Sequence, residues 1–279
     1  MSAHFHFYLC GRKAAEWLIA MKMKVVSYNL RYMPNTTIDG TNNFIHRVGM
    51  IFEKICAEMP DIIGFQEVLP RQHQYLERLL TEYTIVGQFR DADFLGEGNF
   101  VALRKDRFQV LGYDTFWLSP TPYVPASRFE GQSDCPRICN VIRARHKATN
   151  QIFRIFNTHL DHVGEEARVK GIGCILQELE RLNAITEFPA MIMGDFNAYP
   201  DSETIRTCNE YEKYPLTDVT AGLDSTFHWF GTTSAKIDYL YMTKELADKV
   251  VAYGQWDDIH EGIYLSDHTP IWADVEMGE

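Results

Sequence analysis

Five apolar runs in this chain, VVSYNLR, DIIGFQE, FRIFNTHLDH, AMIMGDFN and KIDYLYM, carry dense polar clusters at their ends where an ordinary strand would meet a simple turn. Strand ends gathered at one rim of a sheet core would bring these clusters together, and a rigid scaffold presents chemistry at such a rim. That pattern restricts the fold more than any other feature of the sequence.

Extended chain alternates its side chains between two faces. In VVSYNLR this groups Ser27, Asn29 and Arg31 on one face and Val26, Tyr28 and Leu30 on the other; the competing reading is a solvated edge strand. In DIIGFQE it puts Glu67 on the face of Ile63 and Phe65, toward apolar surroundings where an unpaired carboxylate is costly. A metal ion would relieve that cost, as would an Arg partner or a cap on the helix predicted over Gln72–Leu80. Asp195 and Asn197 follow Gly194 on the same side of an extended segment, although an Asp-x-Asn pair also serves plain turns. Asp238 shares a face with Leu240 and Met242, and a histidine such as His268 would be its cheapest buried partner. His159 shares a face with Asn157 at a strand tip. Each of these residues alone has a structural explanation; their joint occurrence points to one site.

Further strand-like runs cover Lys24–Leu30, Asp61–Phe65, Phe100–Arg104, Val110–Leu118, Asn140–His146, Phe153–Asn157, Ala190–Met193, Ile237–Met242 and Ile271–Val275. Helical spacing appears in Phe44–Glu58, through Val48, Ile51, Phe52 and Ile55, and in Glu165–Asn183, through Val169, Ile172, Leu176 and Leu179. The long β-meander between Phe100 and Phe156 does not fit a regular βαβ wind, so layered sheets covered by helices are expected.

The 279 residues show no Pro/Gly/Ser-rich linker and no repeat, which predicts one continuous domain over residues 24–279. Residues 1–23 read as an added arm or an over-extended start, without the features of a signal peptide or membrane span. A net charge of −11 with scattered Lys and Arg argues against gripping a long duplex through many phosphates, though not against a local groove. Six cysteines without metal-ligand spacing read as free thiols, which suggests a reducing, cytoplasmic location.

With Asn29, Gln66-Glu67, Asn157-Thr158-His159, Gly194-Asp195-Phe196-Asn197, Ile237-Asp238-Tyr239 and Ser266-Asp267-His268-Thr269-Pro270 in this order, the sequence resembles the endonuclease/exonuclease/phosphatase superfamily from about Lys24 to the C-terminus. The resemblance implies a deoxyribonuclease I-like α/β fold, a four-layer sandwich of two packed mixed β-sheets flanked by helices. It also implies hydrolysis of phosphate esters with Mg²⁺ or Mn²⁺. Carried over by position, Glu67 looks like the principal metal ligand, assisted by Asn29 and Asp267. Asp195 looks like the residue that orients or deprotonates water, and Asn197 like a phosphate donor. Asp238 and His268 resemble the family's dyad, with Asp195 and the dyad competing for the role of base. His159, supported by Glu97, resembles a second phosphate-facing histidine, and Arg137 a phosphate-contacting arginine. Arg31 stands where the abasic-site nucleases carry an acidic residue, which weakens a DNA-repair reading and offers a contact to a terminal phosphate.

Thr115–Ser119 and Asn157–Gly164 resemble a small bacterial-type subgroup near the deadenylase-like 3′-to-5′ exonuclease branch. The expected activity is therefore that of a phosphodiesterase on single-stranded RNA or DNA, with Trp117, Phe129 and Trp229 as aromatics available for base stacking or core packing. A phosphatase or phosphodiesterase of a small phosphorylated metabolite, sugar or lipid headgroup is the alternative, and an inactive scaffold a second. No stable membrane association is expected, and substrate choice should reside in loops such as Asn35–Asn43 and Pro120–Cys135.

Overall fold

Along the chain the elements are β1 (Lys22–Asn29), a 3₁₀ turn (Gly40–Asn42), α1 (Phe44–Glu58), β2 (Ile62–Val68), α2 (Pro70–Leu79), β3 (Tyr83–Phe89), β4 (Gly98–Arg104), β5 (Phe108–Trp117), β6 (Ile138–His146) and β7 (Ile152–His159). There follow α3 (Glu165–Asn183), β8 (Ala190–Asp195), α4 (Glu203–Asn209), β9 (Leu216–Asp218), β10 (Asp238–Thr243), α5 (Lys244–Ala247), β11 (Val250–Gln255), β12 (Ile259–His260), β13 (Ile263–Tyr264) and β14 (Ile271–Glu276). The structure is a computed structural model that describes residues 22–34, 38–257 and 259–278. Most of the segment read as an N-terminal arm, and residues 35–37 of the loop expected to influence substrate choice, lie outside the described residues. The first strand begins two residues before the expected Lys24, because Lys22 and Met23 pair with Glu276 and Val275.

One sheet runs β11-β14-β1-β2-β4-β3 and the other β5-β6-β7-β8-β10-β9, each mixing parallel and antiparallel pairs. Their facing sides share a core in which Met23, Val25, Ile62 and Val101 meet Ile142, Ile155, Met191 and Leu240. Alternate residues of β1 and β2, including Val26, Tyr28, Ile63 and Phe65, pack outward against Ile51 and Ile55 of α1 and Leu76 of α2. Phe156, Ile192, Tyr239 and Tyr241 do the same against Ile172, Ile175, Leu176 and Leu179 of α3 and Ile205 of α4. Three apolar interfaces therefore bind four layers, in the order helix, sheet, sheet, helix, as the sequence predicted. Fully burying one such Ile or Leu contributes about 1.5–3 kcal/mol, so every layer is held by many additive contacts.

Helix ends follow local rules. Asn43 accepts from the Ile45 N–H to open α1, and Met59 closes it in a left-handed conformation. Pro70 starts α2, two residues before the expected Gln72. The buried stripe of α1 is Phe44, Arg47, Ile51 and Ile55, with Val48 and Phe52 only partly covered. Periodicity alone did not place Arg47 there. Its burial is tolerated because its guanidinium donates to the carbonyls of Leu30, Arg31, Asn42 and Leu265. Arg47 thus clasps the end of β1 to the segment before His268.

Along the facing sides of the sheets, side chains change from apolar to polar at the same end. The series are Met23, Val25, Ser27, Asn29 on β1, Phe153, Ile155, Asn157, His159 on β7, Met191, Met193, Asp195 on β8 and Met242, Leu240, Asp238 on β10. Register completes the arrangement, since β8 sets Asp195 opposite His159 on one side and Asp238 on the other. The five cysteines among the described residues are free. No helix among the described residues is long and apolar enough to cross a membrane.

At the opposite end His146 is buried, with Nδ1 near Thr149 Oγ1 at 2.9 Å and Nε2 facing the Arg107 guanidinium at 3.3 Å. Burial, and then the Arg107 charge, lower its pKa to about 4. An unfolded histidine titrates near 6.5, so the unfolded state binds the extra proton between these values, and stability present above pH 6.5 is lost as pH falls toward 4. We predict that His146→Gln flattens the pH dependence of urea stability in this window, by up to one proton or about 1.4 kcal/mol per pH unit. Parallel slopes for the two proteins would contradict the assignment.

Candidate active site

Beneath the polar end lies a buried layer of amides. The Gln66 amide donates to Asn157 Oδ1 at 2.7 Å, and the Asn157 amide donates to the carbonyls of Phe65 and Phe100, both at 3.0 Å. These bonds lock the two sheets together just below the site. Gly64 makes the approach possible, because a Cβ there would lie 2.7 Å from Met193 Cε and 2.9 Å from Asn157 Oδ1.

Asn29 stands at the centre. Its Nδ2 donates to Glu67 Oε1 at 3.1 Å and Asp195 Oδ2 at 3.0 Å, and lies 3.5 Å from His268 Nε2. Three residues far apart in sequence thus meet at one amide. Its Oδ1 accepts the Arg31 N–H at 2.9 Å, so in this arrangement Asn29 bridges carboxylates, and service as an oxygen ligand to a metal would need the amide turned over.

Glu67 reaches this point by a route that strand alternation did not predict. β2 carries a bulge between Phe65 and Val68, and Glu67 has φ +58°. The carboxylate therefore leaves the outer apolar face expected for it and turns to the rim, where it also accepts the Tyr32 N–H at 2.8 Å. Burial would raise its pKa, but His268, the Tyr32 N–H, Arg31 and Asn29 together hold it below the ordinary range. Arg31 likewise has φ +55° just past the end of β1, so its expected face with Ser27 and Asn29 is not that of a strand residue. Asn197 and Trp229, with φ +49° and +42°, add to this concentration of left-handed backbone around the site.

Asp195 accepts the Asn197 N–H at Oδ1, 2.8 Å, while its Oδ2 lies 3.4 Å from His159 Nε2 and 3.7 Å from His268 Nε2. Burial first, then repulsion from Asp238 and Glu67, raises its pKa to about 7 against the pull of His268. The ring of His268 donates through Nδ1 to Asp238 Oδ2 at 2.9 Å. Thr226 Oγ1 donates to the same oxygen at 2.7 Å. Burial would lower the His268 pKa, but Asp238, Asp195 and Asp267 outweigh it and raise it to about 10.

Asp267 is buried near Glu67 and His268, and Arg31 Nε is 3.6 Å from its Oδ2. Burial and then Glu67 push its pKa up. Arg31 also pairs with Asp39 at 3.2 Å and lies between the rings of Tyr32 and Trp229, 4.4 and 4.6 Å from their centroids. Asn197 donates its side-chain amide to the Leu160 carbonyl at 3.2 Å.

Glu97, expected to support His159, instead pairs with Arg90 at 3.0 Å. It comes within 4.8 Å of His159 and Glu67, but His159 Nδ1 has no hydrogen-bond partner. Arg137 is buried against His162, 2.9 Å from its Nδ1. Trp117 is unavailable for stacking, since it is buried in the core and donates to the Arg90 carbonyl at 2.7 Å. Phe129 lines a separate groove with Lys170 and Tyr123, into which none of the predicted site residues projects. Only Trp229 of the three aromatics stands exposed beside the site, over Arg31. Arg90, His162, Thr226 and Asp39 escaped sequence reasoning, because they lie in loops where neither alternation nor helical spacing singles out a residue.

The donor set fits a hard divalent cation. Glu67, Asp195, Asp238, Asp267 and Glu97 bring five carboxylates to one small region, their partners are shared, and repulsion from Glu67 acts on Asp195, Asp267 and Glu97 alike. Oxygen ligands of this kind select Mg²⁺, Mn²⁺ or Ca²⁺ over zinc. Two groups of carboxylates and a histidine, Glu67/Glu97/His159 and Asp195/Asp238/His268, each lie within 4.8 Å, close enough to share an ion.

The model of the Endonuclease/Exonuclease/phosphatase family matches residues 26–268. An endonuclease/exonuclease/phosphatase from Bacteroides vulgatus is 32% identical with a TM-score of 0.83, over 92% of this chain and 99% of its own. The mannosyl-6-phosphatase Bt3783 of Bacteroides thetaiotaomicron is 27% identical with a TM-score of 0.80, over 90% and 98%. The uncharacterized protein L388 of Acanthamoeba polyphaga mimivirus is 26% identical over 89% of this chain and 98% of its own.

Two outcomes follow from the site. Saturating Mg²⁺ or Mn²⁺ at about 100 Kd should stabilise the protein by roughly 2.7 kcal/mol, about 5 °C or more in Tm, and Glu67→Gln should lose most of that shift. Thermal melts with and without EDTA measure it, and equal Tm values would contradict a cation site. Gly194→Ala should cost roughly 2–4 kcal/mol in urea titrations. Gly194 has φ +146°, and a Cβ there would lie 1.9 Å from the Thr158 carbonyl oxygen, which would wedge apart the pairing that positions Asp195.

Proposed function

Because the chain belongs to the endonuclease/exonuclease/phosphatase family of metal-dependent phosphoesterases, we propose that it is a phosphatase of small phosphorylated sugars or similar metabolites. The observation that carries the reaction is the meeting of Glu67, Asp195 and the His268/Asp238 pair at Asn29. The substrate class is supported by the likeness to a mannosyl-6-phosphatase along nearly the whole chain. Burial of Trp117 removes one of the aromatics that a single-stranded nucleic acid could have stacked on.

In this reading Glu67, with Asp267, would hold Mg²⁺ or Mn²⁺, and the bound ion would supply neutralisation of charge on the phosphate. The chain's own groups do the rest. Asp195, with a pKa near neutrality, is the group suited to take a proton from water. His268, held by Asp238 through Nδ1 and drawn toward its protonated form, serves in this reading as a donor to a phosphate oxygen. Asn197 and His159 flank Asp195, and are placed to orient water and phosphate there.

A hydrolysis panel tests the proposal. Hexose 6-phosphates should release phosphate in the presence of Mg²⁺ or Mn²⁺, EDTA should stop it, and Asp195→Ala should lower kcat about 100-fold or more. Cleavage of single-stranded RNA or DNA with sugar phosphates untouched would replace the substrate assignment.

A further inference from the structure

Beside the catalytic carboxylates, on the far side of Glu97 and His159, two arginines are buried together. Arg137 is 3% exposed, and its Nη2 lies against His162 Nδ1 while Nε and Nη1 have no hydrogen-bond partner. Arg90 is 8% exposed, pairs through Nη1 with Glu97, and leaves Nε without a partner. The two guanidiniums are near enough to repel each other, and Glu97 is the carboxylate that acts on both.

Such an arrangement is costly in isolation. A buried donor that has lost water and gained no acceptor loses stability, and the loss is greater for a charged group. Arg90 is nevertheless held firmly, by Trp117 Nε1 on its carbonyl and by its N–H on the Glu97 carbonyl at 2.9 Å. Arg137 immediately precedes β6, whose first residues run beside the end of β7 that carries His159. Both are rigidly placed cations short of an acceptor, in a chain that is otherwise strongly acidic.

We propose that Arg90, Arg137 and His162 form an anion subsite that takes a second phosphate group of the substrate, separate from the phosphate that is hydrolysed. As a substrate subsite it rests on the phosphatase reading. The separation follows from Glu97, which stands between Arg90 and the cluster of Glu67 and His159. Guanidinium forks match phosphate oxygens and lose little order on binding them. His162 is exposed and accepts from Arg137 Nη2 at Nδ1, so it is the solvent-facing member of the group.

Sulfate titrated calorimetrically into the whole protein in EDTA probes the subsite without catalysis, because the metal-free carboxylate cluster repels anions. One sulfate should bind per chain, with Kd weakened about tenfold or more in Arg90→Gln and Arg137→Gln, and with part of the affinity kept in Arg90→Lys. Absence of binding to the wild-type protein, or an isotherm unchanged in both Gln variants, overturns the subsite. In the wild-type enzyme, hexose 1,6-bisphosphate should have a KM about tenfold or more below that of hexose 6-phosphate. Equal KM values with sulfate still bound overturn the substrate role alone. Failure of both sugars to react with sulfate still bound counts against the phosphatase reading and leaves the anion site standing.

Discussion

Five carboxylates share a rim with too few positive charges to balance them, and the rest of the site is arranged around that imbalance. Asn29 lends one amide to two of them, Arg31 is divided between Asp39 and Asp267, and His268 is drawn into its protonated form. A lone buried carboxylate would shift its pKa and become neutral. Glu67 does not, because a protonated histidine, a backbone N–H and Arg31 hold it ionised. The protein thus keeps a hard anionic ligand ready at the cost of strain in its surroundings, and a divalent cation completes the balance.

The fold sustains this by repetition. The same alternation that fills the space between the sheets with Val25, Ile155, Met193 and Leu240 delivers Asn29, Asn157, Asp195 and Asp238 when each strand is followed to its end. Below the rim, the bonds of Gln66 and Asn157 stop the sheets from sliding. Above it, Arg47 clasps the turn after β1 to the segment that carries Asp267 and His268. Stability and catalytic geometry therefore draw on the same contacts, which is how a set of loops gains the precision of a sheet.

Sequence alone revealed most of the layers, because the period of two in the strands and the stripes of Ile and Leu in α1 and α3 are strong patterns. It also singled out the residues that meet at Asn29, since polar groups ending apolar runs are conspicuous. What it could not reveal depends on departures from those periods. A bulge and a positive φ redirect Glu67, and a left-handed Arg31 breaks the face it was assigned to. Trp117, open to stacking or packing from its sequence, is core, and Arg90, the first residue after β3, gave no periodic signal at all. Edge strands such as β3 and β11 were missed because neither YTIVGQF nor VVAYGQ alternates apolar with polar residues.

The most direct test of the account is anomalous diffraction from crystals grown with Mn²⁺. A peak in direct contact with the Glu67 carboxylate, within the cluster around Asn29, is the predicted result. A map without a peak there, or with manganese bound only elsewhere on the surface, would contradict the claim that these carboxylates are gathered to hold a catalytic cation.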